Sequence, residues 1–154
     1  MNALTRFLAI SLSALMMAGC EITIGSSTED DDEKEHGKDP MEVVFDGSSD
    51  DSDFDFNQPY LFTLTGDSNK ITLAGDIKEI LITGSFNYVI VKDQAQLELL
   101  SVTGNHNVLV QDDDIELHVQ EVELVGNNNF ISLHSYDKVA DIGDDNQLLG
   151  MEGE

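Results

Sequence analysis

The residues best equipped for chemistry are one cysteine, four histidines and thirty-one carboxylates in a chain of 154 residues. Cys20 closes the run Met17-Ala18-Gly19-Cys20, which follows Arg6 and an apolar stretch from Phe7 to Met17. A positive start, a short apolar run and small residues before a thiol have the order of a bacterial lipoprotein signal. Met17 stands where Leu is usual in that motif. The apolar run is too short for a permanent membrane span. The expectation is removal of residues 1–19 and thioether lipidation of Cys20. The competing readings are an ordinary secretory peptide and a transmembrane anchor. Two acyl chains suffice for stable anchoring, at about 0.8 kcal/mol per buried methylene. Glu21 follows the cysteine, where Asp would resemble an inner-membrane retention signal, so the outer membrane is the favoured destination. With Cys20 lipidated, no disulfide is available.

The carboxylates raise the question of a divalent cation. Asp112, Asp113 and Asp114 are adjacent, and hard oxygen ligands of this kind suit calcium. The competing reading is a solvated turn, since contiguous Asp side chains do not all converge. Asp51, Asp53 and Asp55 have the first spacings of an EF-hand loop. Phe56 then replaces the required Gly, and Phe62 stands where the bidentate Glu belongs, so an EF-hand is rejected. His36, His106, His118 and His134 show no metal-ligand spacing. No nucleophile elbow, phosphate loop or zinc signature occurs. No catalytic residue and no cofactor are assigned, calcium alone being kept as a possibility.

Charge narrows the partners. The formal net charge is −24, and loss of Arg6 with the signal leaves six Lys and no Arg. Nucleic-acid affinity rests on Lys and Arg neutralising phosphates, so nucleic acid is excluded, and anionic lipid headgroups are disfavoured. Much of the charge lies between Ser26 and Asp55. Segments of that composition bury too little apolar area to offset chain entropy. Residues 20–58 are therefore expected to form a disordered acidic tether, a spacer whose roughly thirty extended residues reach on the order of 100 Å at the limit of the backbone. Within it, Met41-Glu42-Val43-Val44-Phe45 is an apolar knot with three open fates: an edge strand, a cover for a hydrophobic end, or neither.

The elements that must position any site form an internal repeat. Five Gly-x-x-Asn tetrads begin at Gly66, Gly84, Gly104, Gly126 and Gly143 and end at Asn69, Asn87, Asn107, Asn129 and Asn146. Apolar residues flank each with period two, for example Ile80 and Ile82 before the second and Val89 and Val91 after it. Period two means strands with one buried face. Gly and Asn tolerate the positive φ of a tight corner. One such pair of strands cannot bury its apolar face, whereas stacked copies can. The fold class is all-β: a short parallel β-solenoid (β-helix) of about five rungs over residues 59–150, with a tail at 151–154. A β-sandwich or hairpin meander is the rival. The stacked Asn residues have two possible roles, an amide ladder along the axis or a supply of positive φ. Phe54, Phe56, Pro59 and Tyr60 are expected to cap the first rung. Asp141 and Gly150 give the last rung a polar face, which opposes end-to-end polymerisation. Gln111 replaces an apolar residue and puts the packing of its rung in question.

A lipobox, an acidic tether and tandem units such as Gly84-Ser85-Phe86-Asn87-Tyr88-Val89-Ile90-Val91 and Gly126-Asn127-Asn128-Asn129-Phe130-Ile131-Ser132-Leu133 resemble an uncharacterised family of bacterial secreted and lipoprotein domains (domain-of-unknown-function family 3060). The resemblance spans Pro59 to Gly150 and implies a β-solenoid. It brings no assigned activity and no catalytic residue.

One stripe departs from a solvated surface. On the strands after the corners, outward positions include Tyr88, Ile90, Val108, Val110 and Phe130, which stacking would join into one apolar patch. Such a patch is either an interface or is covered by the chain's own Met41–Phe45 or Phe54–Phe56 segment. The function read from the sequence is a lipid-anchored, non-catalytic cell-envelope module that contacts a protein or glycan through this stripe. The alternatives are a calcium-dependent ligand-binding lipoprotein and, further off, a carbohydrate-active enzyme using one of Asp112–Asp114. Oligomeric state, partner and membrane face are not set by the sequence.

Overall fold

A computed structural model describes residues 21–25, 39–93 and 96–153. The signal segment, Cys20 and most of the acidic block at 26–38 lie outside the described residues. Ten strands occur in the order β1 (Glu21–Gly25), β2 (Met41–Asp46), β3 (Asp51–Thr65), β4 (Lys70–Thr83), β5 (Tyr88–Val91), β6 (Gln96–Thr103), β7 (Val108–Gln111), β8 (His118–Val125), β9 (Phe130–Ile142) and β10 (Gln147–Glu152). All pairings are parallel except that of β1 with β2. The chain is a β-solenoid, as the repeats predict. The described residues contain no helix long and apolar enough to cross a membrane.

Each rung is a strand, a Gly-x-x-Asn corner and a second strand. The strands before the corners stack in the order β2, 60–65, 79–83, β6, β8 and 138–142. Those after the corners stack as 51–56, 70–75, β5, β7, 130–132 and 147–149. Alternate residues of both sheets point inward and fill one core. Phe62, Leu64, Ile71 and Leu73 form one layer of it, Ile80, Ile82, Val89 and Val91 the next, all buried. Full burial of one such side chain contributes about 1.5–3 kcal/mol, so the rungs hold together through their shared interior.

The solenoid starts earlier than Pro59. Met41, Val43, Phe45 and Phe54 are core residues, and Gly47-Ser48-Ser49-Asp50 is a sixth corner with Asp in the Asn place. The solenoid thus begins before the boundary expected at residue 58, and the described residues form six rungs, close to the about five that the repeats predict. The physical reason is alternation hidden by charge: Asp51, Asp53 and Asp55 are exposed, while Phe54 between them is buried. A composition window sees only acid there, whereas the pleat sorts acid outward and Phe inward. Met41–Phe45 forms a rung strand, paired on one side with β3 and on the other with β1, so it is not the edge strand that the first of its open fates describes. The cap expected from Phe54, Phe56 and Tyr60 exists as an aromatic plug, with Phe54 5.8 Å from Phe45 and 5.1 Å from Phe62, and Phe56 5.0 Å from Tyr60 (ring centroids). Tyr60 is fully buried and donates to the Ala74 carbonyl at 2.8 Å. Burial, and then the Asp55 charge, push its phenol well above the ordinary range.

Gln111 does not disrupt its rung. Its Nε2 donates to the Ile115 carbonyl at 2.6 Å and its Oε1 accepts from the Leu117 N–H at 3.3 Å, pinning the 112–117 excursion. Leu117 is then fully buried, within the same apolar core.

Candidate interaction surface

The corner that aligns the rungs settles the two roles open for Asn. Asn69, Asn87, Asn107 and Asn129 are each 1% exposed. The Asn107 Nδ2 donates to the Gly84 carbonyl at 2.8 Å and to Asn129 Oδ1 at 3.2 Å. Its Oδ1 accepts from the backbone N–H and Nδ2 of Asn87, both at 3.1 Å. The pattern repeats through Asn69, Asn87 and Asn129, so every amide proton and lone pair of the central members is used. Positive φ falls instead on the residue before each Asn, and before Asp50 in the first corner: Ser49, Ser68, Phe86, His106, Asn128 and Asp145, at φ between 58° and 64°. Asn is therefore present for its side chain and not for its φ. Gly66, Gly84, Gly104 and Gly126 are at φ of 120–135°, and a methyl group on each, or on Gly143, would overlap the carbonyl oxygen of the glycine one rung before.

A second ladder went unread in the sequence. The side-chain oxygens of Ser48, Asp67, Ser85, Asn105 and Asn127 each accept the backbone N–H of the second corner residue one rung later, at 2.6–3.3 Å. The signal was available: that position is Ser, Asp or Asn in every tetrad. No buried side-chain polar atom among the described residues lacks a partner.

This rigid corner presents the apolar stripe. In register, Tyr88 lies beside Val108 and Val108 beside Phe130, while Ile90 lies beside Val110. All five stand on adjacent rungs about 4.8 Å apart, as the repeat predicts. Tyr88 is 39% exposed and the other four are half-buried. The chain's own Met41–Phe45 and Phe54–Phe56 segments do not cover them, because Met41, Val43, Phe45 and Phe54 are in the core of the first rung and Phe56 packs against it. Sequence reasoning missed two neighbours. Phe86 is 60% exposed and stacks on His106 with centroids 4.8 Å apart and planes 11° from parallel, at the corner leading into Tyr88 and Val108. At one end of the stripe Lys70 pairs with Asp51 at 3.0 Å, which raises its amine above the usual value.

The other candidates remain apart from this surface. Asp112, Asp113 and Asp114 form a turn in which the Ile115 N–H donates to the Asp112 carbonyl at 3.2 Å. Among the described residues no group of three or more His, Cys, Asp or Glu could hold a metal ion. The structure does bring His118 together with Ser135 (Nδ1 to Oγ, 2.9 Å) and Asp137 (Nε2 to Oδ1, 3.3 Å). An imidazole between a hydroxyl and a carboxylate is the layout of a nucleophilic relay. The N–H groups of His134 and Ser135 both donate to the Leu117 carbonyl, at 3.1 and 3.2 Å, so neither is offered to an oxyanion. The cluster acts as a clasp between the last two rungs, where His118 and Ser135 are register partners.

No curated protein and no solved structure matches the chain. Residues 64–114, which hold the first three of the five tetrads together with Tyr88, Ile90, Val108 and Val110, match the family model described as "Protein of unknown function (DUF3060)", the family that the tandem units resemble.

Proposed function

We propose that the protein is a lipid-anchored, non-catalytic module of the bacterial cell envelope, of the outer membrane where the cell has one, that binds an envelope protein or glycan through the stripe of Tyr88, Ile90, Val108, Val110 and Phe130. The observation that carries this reading is the register. It sets five outward apolar side chains side by side on a hydrogen-bonded frame, with no described segment of the chain over them. Contiguous outward apolar surface of this kind marks interaction sites. A rigid parallel sheet also binds without ordering loops first, which lowers the entropic cost of association.

The start of the fold supports the anchoring part. Glu21, the residue after Cys20, pairs with Asp46, and β1 lies along β2 as far as Glu42. A lipid on Cys20 would therefore hold the first rung at the membrane surface and turn the last rung away from it.

The test is a double substitution, Val108→Thr with Val110→Thr. Photo-crosslinking from an unnatural side chain at position 88 in cells, and co-sedimentation with isolated peptidoglycan, read binding. Both are expected to fall at least tenfold in the variant with the melting temperature nearly unchanged. Crosslinking and co-sedimentation at wild-type levels would sink the stripe as the binding surface.

A further inference from the structure

The last rung presents a second, separate surface. Strand 138–142 pairs with β8 on its inner edge, and no described strand pairs with its outer edge. The Gly126 N–H donates to the Ile142 carbonyl, which points the polar groups of Ile142 inward. Because backbone groups alternate sides along a parallel strand, those of Val139 and Asp141 face outward. The core is also open at this end. Val139 lies in register with the buried Val122, yet is 45% exposed, and Leu148 lies beside the buried Ile131. Ile142 is 70% exposed, Leu149 51% and Met151 60%.

The Asn ladder, by contrast, is finished here. Asn146 Nδ2 donates to Asp141 Oδ1 at 2.6 Å, where a further rung would offer an Asn oxygen. The end is therefore closed to another Gly-x-x-Asn corner and open to a strand. The opposite end shows what such a strand looks like. β1 lies antiparallel on the edge of β2, with Ile22 opposite the buried Phe45 and packed against the core.

Charge selects the occupant. Asp137, Asp141, Asp144, Asp145 and Glu152 belong to this rung, against Lys138 alone. A second copy of the chain brings the same acids at its own last rung. At its first rung the edge of β2 is occupied by β1, and the neighbouring edge strand carries Asp51, Asp53 and Asp55. We infer that the C-terminal rung accepts an added strand: an extended, lysine- or arginine-bearing segment of another polypeptide, paired along the outer edge of 138–142 and covering Val139. Main-chain bonds supply affinity in strand addition, while alternate side chains and charge supply selection.

The experiment uses the isotopically labelled full chain in detergent micelles, titrated with a blocked pentapeptide of alternating lysine and valine. Controls are its glutamate–valine counterpart and pentalysine. The expected result is saturable amide shifts within 137–152, with slowed exchange of the Val139 and Asp141 amides. Affinity should fall at least tenfold on raising salt from low to physiological strength. Val139→Lys should weaken binding at least tenfold while the spectrum of the other rungs stays in place. Should Val139→Lys disturb the fold, Ile142→Lys, which adds the same charge to this strand on its exposed face, should weaken the lysine peptide's binding in the same direction. Equal binding by pentalysine or by the glutamate peptide, shifts at the stripe instead, or no saturable shift at millimolar peptide would each overturn the inference. A dimer lost on Val139→Lys would assign this end to a second copy and overturn it equally.

Discussion

At its first end the solenoid buries Phe45 and Phe54 in ring contact, Phe54 meeting Phe62 of the next rung, and lays β1 along the edge of β2; at its last rung Val139, Ile142, Leu149 and Met151 are exposed and strand 138–142 has no outer neighbour among the described residues. Both ends face the same problem, since a stack of parallel strands always leaves two edges able to pair with other chains. The first is closed by covering it, with a strand, an aromatic plug and outward Asp residues. The last relies on charge alone, with Asp141 also ending the ladder. The first end is thus built for stability and the last for accessibility. The middle belongs to neither scheme, because its rungs are held by neighbours on both sides.

The comparison can be broken first at the corner. Asn107→Ala would leave the Asn87 backbone N–H, one Asn87 amide proton and the Gly84 carbonyl without partners in a buried site, and Asn129 Oδ1 with one donor fewer, at a cost of about 3–5 kcal/mol. Asn146→Ala, at the open end, should cost about 1 kcal/mol, because its partners there are partly reached by water. Equal midpoints for the two in urea denaturation would show that the ladder is not cooperative along the axis. Next come the end layers. Phe54→Ala should cost about 3 kcal/mol or more and Val139→Ala well under about 1 kcal/mol, read by thermal melts. A smaller loss at Phe54 than at Val139 would reverse the assignment of the stable end.

Alkali tests the plug by another route. The Tyr60 phenol titrates higher in the folded chain than in the unfolded one. Its contribution is therefore complete below the unfolded value near 10 and declines as pH rises above it, because only the unfolded state then loses the proton readily. Tyr60→Phe should flatten stability against pH above about 10, at the cost of the 2.8 Å bond to Ala74. A parallel decline in both proteins would place the alkaline transition elsewhere. The smallest effect belongs to the cover. Ile22→Asp should lower global stability by about 1 kcal/mol or less, since Ile22 is only half-buried. It should nevertheless speed amide exchange in β2 selectively. Unchanged exchange there would mean that β1 does not protect the edge.

The repeat was legible because its two signals are local. Gly recurs where a side chain would overlap the preceding rung's backbone, and Asn recurs three residues later. The stripe followed from the same offsets, since stacking in register converts sequence spacing into adjacency. Three features were harder to read. Gly47-Ser48-Ser49-Asp50 was missed because Asp stands in the Asn place, a substitution allowed only at the start of the ladder, where no earlier carbonyl needs a donor. The strand 51–56 was missed because its acids outnumber its aromatics, although only the alternation matters to a pleated strand. His118, Ser135 and Asp137 converge because β8 and β9 share a register, which no spacing along the chain expresses.

The sequence by itself determined the class of fold, the corner that stacks it and the sign of its charge, because period-two burial, obligatory glycine and carboxylate content are properties of short segments. Tertiary structure alone decided where the solenoid begins, what Asn does at the corner, and that one end is covered while the other is open. Those depend on which rung lies next to which, and hydrogen-bond satisfaction and exposure are defined only once the neighbouring strand is in place.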